Sequence, residues 1–229
     1  MINSIPRIAL IPATRVAIDP IEDAAKRIWP EAETITILEE SLSIDRAKET
    51  ELSEEMSNRI LSVAEYAKAV DVDGVLFTCS AFGQAIDEAA AKSKIPILKP
   101  NEAMFDAAFD KGTRISMIYT FAPAAKGMEK EFQEAAKKRG SSAKIKSYFC
   151  EGALEAKCAG DNETHNNLIA QTAAGIVNAD VILLAQFSMA SAVEKVRAST
   201  DVLILTSPDA AILKIRKLVE ARKRINVSC

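Results

Sequence analysis

One cysteine in this chain stands where a thiol can do chemistry. Cys79 closes the apolar run Gly74-Val75-Leu76-Phe77-Thr78, and the residues behind it, Ser80-Ala81-Phe82-Gly83-Gln84-Ala85-Ile86, read as the start of a helix. A thiol between a strand end and a helix start meets backbone N–H groups without intrahelical partners. It also meets the positive end of the helix dipole, and both favour the thiolate. The same N–H groups, with the Ser80 hydroxyl, can hold a carboxylate or an oxyanion. The bland alternative is a small cysteine at the edge of a core, where free cysteines usually lie.

Other chemistry-bearing residues form weaker patterns. His165 is the only histidine and lies in the polar stretch Glu163-Thr164-His165-Asn166-Asn167, which reads as a solvated helix start. Cys150 and Cys158 are too far apart for a CxxC pair, and one histidine leaves too few ligands for zinc, so no metal is expected. Neither GxGxxG nor GxxxxGK[ST] occurs among only 8 glycines, which argues against nucleotide and dinucleotide cofactors. The basic run Lys214, Arg216, Lys217, Arg222, Lys223 and Arg224 is read as a solvated last stretch of helix.

The elements that must position Cys79 follow from patterning. Runs rich in Ile, Leu and Val at residues 7–14, 34–39, 74–79, 95–99, 114–121, 144–150, 181–186 and 202–206 read as strands. Several are continuously apolar, as parallel strands covered on both faces must be. Between them lie helical spacings such as Met56, Ile60, Val63, Ala67 and Val70, and Ile212, Ile215 and Val219. Such alternation predicts an α/β fold with parallel sheets.

The chain also repeats itself. Arg7-Ile8-Ala9-Leu10-Ile11 matches Arg114-Ile115-Ser116-Met117-Ile118, and Asp73-Gly74-Val75-Leu76 matches Asp180-Val181-Ile182-Leu183, both at an offset of 107. Two pseudo-symmetric four-stranded α/β halves are therefore expected, residues 1–102 plus 209–229 and residues 103–208. Ligands of parallel sheets bind beyond the carboxyl ends of the strands, so the active site is expected in the cleft between the halves. Loops starting at Thr14 and Phe121, Cys79 and Gln186, and Pro100 and Ser207 would line it.

Composition narrows the function. The 229 residues carry 29 Lys plus Arg against 32 Asp plus Glu, a net charge of −3 that lacks the basic surplus of a nucleic-acid binder. No apolar run approaches the ~18–20 residues of a membrane span, and four cysteines do not make a disulfide framework. No signal peptide is recognisable at the N-terminus, so a cytoplasmic, reduced setting is expected.

The paired halves, the strand-end cysteine in Leu76-Phe77-Thr78-Cys79-Ser80-Ala81, and the segment Ile182-Leu183-Leu184-Ala185-Gln186-Phe187-Ser188-Met189-Ala190 resemble the aspartate/glutamate/hydantoin racemase superfamily. That superfamily also contains maleate isomerases and arylmalonate decarboxylases. The resemblance implies cofactor-independent chemistry at a carbon next to a carboxylate or carbonyl of a small acid, in a protein that commonly self-associates. In two-cysteine members one thiol from each half flanks that carbon. Cys79 matches the first, whereas Gln186 stands at the second, where hydantoin racemases read Gly-Cys-Ala-Gly-Met. An amide cannot act as an acid or base near neutral pH. By position, Thr14, Ser80, Thr120 and Ser188 are expected to bind the substrate. An isomerase or racemase using Cys79 is thus expected. A single-cysteine lyase or decarboxylase, and a binding protein that has lost catalysis, are the alternatives.

Overall fold

Eight short strands build two separate parallel sheets of four in the computed structural model, which describes residues 5–227. Cys229 lies outside the described residues. β1 (Arg7–Ile11) leads through a 3-10 turn at Arg15–Ala17 into α1 (Ile18–Ile28) and β2 (Glu33–Thr36). Next come α2 (Ser41–Arg46), α3 (Glu54–Ala69), β3 (Gly74–Phe77), a 3-10 turn at Ser80–Phe82 and α4 (Gly83–Ala91). β4 (Ile97–Leu98) and α5 (Glu102–Phe109) close the first sheet's segment.

The second sheet's segment follows the same plan. It runs β5 (Arg114–Tyr119), a 3-10 turn at Ala122–Ala124, α6 (Ala125–Arg139), β6 (Lys144–Phe149), α7 (Ala153–Cys158) and α8 (Asn162–Ala174). β7 (Val181–Leu184), a 3-10 stretch at Phe187–Ala192, α9 (Val193–Arg197), β8 (Leu203–Thr206) and α10 (Ser207–Val227) end it. The strand orders are β2-β1-β3-β4 and β6-β5-β7-β8. The registers also correspond: Ile8 faces Gly74 in one sheet and Ile115 faces Val181 in the other.

Alternation along the central strands sorts side chains into distinct cores. Ala9, Ile11, Val75 and Phe77 from the first sheet share one core with Ile115, Met117, Val181 and Leu183 from the second, with Met104, Phe105 and Phe132 from α5 and α6 between them. The opposite face of the first sheet, Ile8, Leu10 and Leu76, packs under Ile21, Trp29, Ile212, Ile215 and Val219. The opposite face of the second, Ile118, Ile182 and Leu184, packs under Ile169, Ala173 and Val196. Central strands β3 and β7 are buried at every residue, which is why they read as unbroken apolar runs.

Helix starts and close approaches follow local chemistry. Ser53 caps α3 by accepting the Met56 N–H at 3.2 Å, and Asp161 caps α8 by accepting the Thr164 N–H at 3.0 Å. Gly112 is needed for space, because a Cβ there would lie 2.3 Å from that of Asp180. That aspartate accepts the Thr113 and Arg114 N–H groups, each at 2.9 Å, and the Arg114 guanidinium holds its carboxyl well below the usual range.

Every expected strand is present, and each is shorter than its apolar run. β1 ends at Ile11 rather than 14, β3 at Phe77 rather than 79, and β7 at Leu184 rather than 186. The chain stays extended past the ladder, with φ/ψ of −148°/145° at Thr14, −102°/123° at Cys79 and −105°/146° at Gln186. These three residues lie beyond the last ladder bonds of their strands and line one space there.

Candidate active site

The turns leaving the four central strands meet around one cavity of about 200 Å3, lined by Thr14, Cys79, Phe121 and Gln186, one residue from each. Ser80, the first residue of the 3-10 turn after β3, and Ser188, the second of the 3-10 stretch after β7, are each 5% exposed or less and also line it. Thr14 stands at the N-cap of its turn, yet its side chain makes no capping hydrogen bond. Thr120 is buried behind the cavity wall and reaches it through Gln186. No Arg, Lys, Asp or Glu lines the space, and Ala17, Ile44, Phe121, Leu154 and Phe187 supply its apolar surface. A larger groove of about 780 Å3, bordered by Arg15, Asp19, Arg27 and Asp209, contains none of the expected site residues.

Electrostatics at Cys79 differ from the expectation of a stabilised thiolate. Burial pushes its thiol up to about 11, against the opposing pull of the Ala81 N–H and the Arg46 guanidinium. Backbone geometry does little to offset that burial. A 3-10 turn intervenes and α4 begins only at Gly83, so the helix dipole starts four residues beyond the sulphur. In the free site Cys79 is a thiol at neutral pH.

Gln186 is tied down by its neighbours. Its Oε1 accepts the Thr120 N–H at 2.9 Å and the Thr120 hydroxyl at 3.4 Å, and its Nε2 donates to the Met128 sulphur at 3.9 Å. Met128 in turn accepts from Asn101 Nδ2 at 3.3 Å, and Asn101 Oδ1 accepts the Ser207 hydroxyl at 2.6 Å. The Pro100 and Ser207 loops, expected in the cleft, are therefore buried in this chain of contacts: Asn101 and Ser207 are fully buried and neither lines the cavity. These loops follow β4 and β8, the edge strands of the two sheets, whereas the cavity lies beyond the ends of the central strands.

Several residues at the site carried no sequence signal. Thr78 lines the cavity with a buried Oγ1 that has no hydrogen-bond partner. Ser43 and Ile44 of α2 form part of the lining, Ser43 held by donating to the Ala13 carbonyl at 2.7 Å. Arg46, at 5% exposure, donates to the Glu49 and Pro123 carbonyls at 2.7 and 2.9 Å. Cys158, on the last turn of α7, shares the cavity with Cys79. His165, expected in solvent, is fully buried instead, because Ile169, Ala170 and Ala173 put its face of α8 into the core. Its Nδ1 pairs with Asn166 Oδ1 at 2.8 Å, and burial lowers its pKa.

Two parallel four-stranded sheets whose central strand ends meet at one small cavity define an α/β class with a candidate site between two similar sheets. The chain belongs to the Asp/Glu/Hydantoin racemase family, whose model matches residues 11–215, and is a racemase-like isomerase. Its fold is similar to that of a glutamate racemase from Bacillus anthracis, with a TM-score of 0.79 at 13% identity over 95% of this chain and 82% of that one. An aspartate racemase from Picrophilus torridus gives 0.72 at 14% identity over 94% of each chain. An allantoin racemase from Klebsiella pneumoniae gives 0.71 at 17% identity over 94% of this chain and 88% of that one. Among curated protein sequences no significant match is found. No helix among the described residues is long and apolar enough to cross a membrane.

Proposed function

We propose that the chain is a cofactor-independent isomerase acting at a carbon next to a carbonyl or carboxylate of a small acid, with the Cys79 sulphur as base or nucleophile. The observation that carries this reading is the meeting of Cys79 with three hydroxyl residues, Thr14, Ser80 and Ser188, around one small cavity at the strand ends. These hydroxyls and the first N–H groups of the two 3-10 turns are suited to a carbonyl or carboxylate oxygen, where negative charge gathers once the neighbouring C–H is broken. A thiolate with a raised pKa is scarce but strongly basic, which suits a weak carbon acid. Gln186, fixed through Thr120 and Met128, acts as a positioning residue that holds the floor of the site.

The lining also favours one substrate class among amino acids, hydantoins and unsaturated diacids. A second carboxylate would enter a space with no cationic side chain to pair with it, at a cost of several kcal/mol. A compact ring such as a 5-substituted hydantoin leaves no such charge and can face Phe121, Phe187 and Leu154. The protonated state of Cys79 supports a second reading, a decarboxylase in which this thiol donates to the carbanion left by departing CO2.

Proton NMR in D2O tests both. Wild type and Cys79→Ala are incubated with 5-substituted hydantoins, amino acids, maleate and 2-substituted malonates. Loss of the Cα–H signal that disappears in Cys79→Ala is expected. Release of CO2 from malonates alone would install the second reading, and equal exchange by Cys79→Ala would end the role of Cys79.

A further inference from the structure

We propose that Cys158 is a second proton-transfer residue of this site, serving the face of the reacting carbon opposite Cys79. The proposal rests on the isomerase reading above. Inversion at carbon needs a proton removed from one face and another delivered to the opposite face. Among the described residues that line the cavity, Cys79 and Cys158 are the two whose side chains ionise in an accessible range. The remaining polar lining is hydroxyl and amide, which only donate and accept hydrogen bonds. Gln186 is further excluded because its carbonyl is already taken by Thr120.

The two thiols come from different parts of the fold. Cys79 follows β3 of the first sheet, while Cys158 ends α7, which follows edge strand β6 of the second. Thr78, which lines the same cavity, has a buried Oγ1 without a hydrogen-bond partner.

The surroundings of the two thiols assign their parts. Cys158 sits at the carboxyl end of its helix beside Glu155, and burial together with that carboxylate keeps it protonated. Cys79 has the Ala81 N–H and the Arg46 guanidinium on the side of its anion. In the forward step the Cys79 thiolate takes the proton of the Cα–H bond, an S–H bond forms, and the electron pair moves onto the carbonyl oxygen. The Cys158 S–H bond then breaks as its proton joins the carbon from the other face. The site is left with Cys79 as thiol and Cys158 as thiolate, the form that runs the reaction backwards.

The test uses the full chain in two arms. A short bismaleimide, which bridges two thiols facing one small space, is expected to give a Cys79–Cys158 cross-linked peptide by mass spectrometry. In the second arm, single enantiomers of 5-substituted hydantoins and amino acids are followed in D2O by chiral chromatography and proton NMR. Cys158→Ala, whose exposed position leaves the melting temperature near that of wild type, is expected to lose inversion by roughly 100-fold or more. Exchange of the Cα–H with retained configuration persists in it and still depends on Cys79. Inversion at the wild-type rate in Cys158→Ala overturns the proposal while leaving the isomerase reading intact, as does the absence of the cross-link. A wild type that forms the cross-link but exchanges no Cα–H overturns the isomerase reading, and this proposal with it.

Discussion

Cys79 is expected to alkylate slowly and to keep accelerating with pH well beyond the point where an ordinary thiol levels off. Its thiol is pushed from 9.0 up to about 11 by burial. At any pH below both values the thiolate is therefore ~100-fold scarcer than in an unperturbed cysteine. Each thiolate is also more nucleophilic, because reactivity rises with basicity at a Brønsted slope of about 0.4–0.5, a gain of roughly eightfold. The net expectation is a rate about 10–15-fold below that of a free model thiol at pH 7–8. Iodoacetamide labelling, quenched at intervals and read at the Cys79 peptide by mass spectrometry, measures this from pH 6 to 10.5. Access through the cavity mouth scales the absolute rate equally at every pH, so the slope of the profile is the decisive quantity. A plateau reached by about pH 8.5 would refute the account. It would mean that the turn N–H groups and Arg46 outweigh burial, and that Cys79 rests as a thiolate after all.

Three further outcomes are expected. Arg46→Met removes a guanidinium that donates to two backbone carbonyls, so urea unfolding should show a loss of about 1–3 kcal/mol, and Cys79 labelling at pH 8 should slow further. Glu131 is buried beside Lys99, and burial raises its carboxyl to about 7, with Asp87 and Glu102 adding to the rise. Because the unfolded chain ionises first, near 4.5, the favourable contribution of Glu131 is complete below that pH and is lost as pH rises to about 7. Between pH 5 and 8 wild type should thus lose on the order of 3 kcal/mol more stability than Glu131→Gln, and parallel profiles would count against it. Gly112→Ala forces a Cβ against Asp180 and should lower stability by about 1–3 kcal/mol in denaturant titrations, with the cavity unaffected.

What the sequence made legible follows from how far each signal reaches along the chain. The strands were readable because β3 and β7 are buried at every residue, which leaves no polar position to blur the run. Cys79 and Gln186 were readable because a residue at the end of a central parallel strand is delivered to the cleft by the strand itself. Strand ends were less so, since extended backbone at Thr14 and Cys79 continues past the last ladder bond. His165 did carry a usable signal that its polar neighbours masked: Ile169 and Ala173 lie four and eight positions on, along one helix face. Arg46 reads as an ordinary surface cation on a short helix. Its burial depends on the Pro123 carbonyl, far away in the chain. Cys158 closes a helix with no surrounding motif, and only the packing of α7 beside the other sheet's turns brings it to Cys79.

The last helix gives the molecule an unusual relation to its own synthesis. α10 follows the final strand of the second sheet, yet its Ile212, Ile215 and Val219 cover Ile8, Leu10 and Leu76 on the back of the first. On a ribosome that surface is made early, and while the second sheet is translated only α1, through Ile21 and its neighbours, is there to cover part of it. The part that α10 covers must wait, open to water or to a chaperone, until the helix emerges. A nascent chain halted before residue 207 should therefore bind apolar dyes and resist completing its first sheet, and release of the remaining segment should abolish the dye signal.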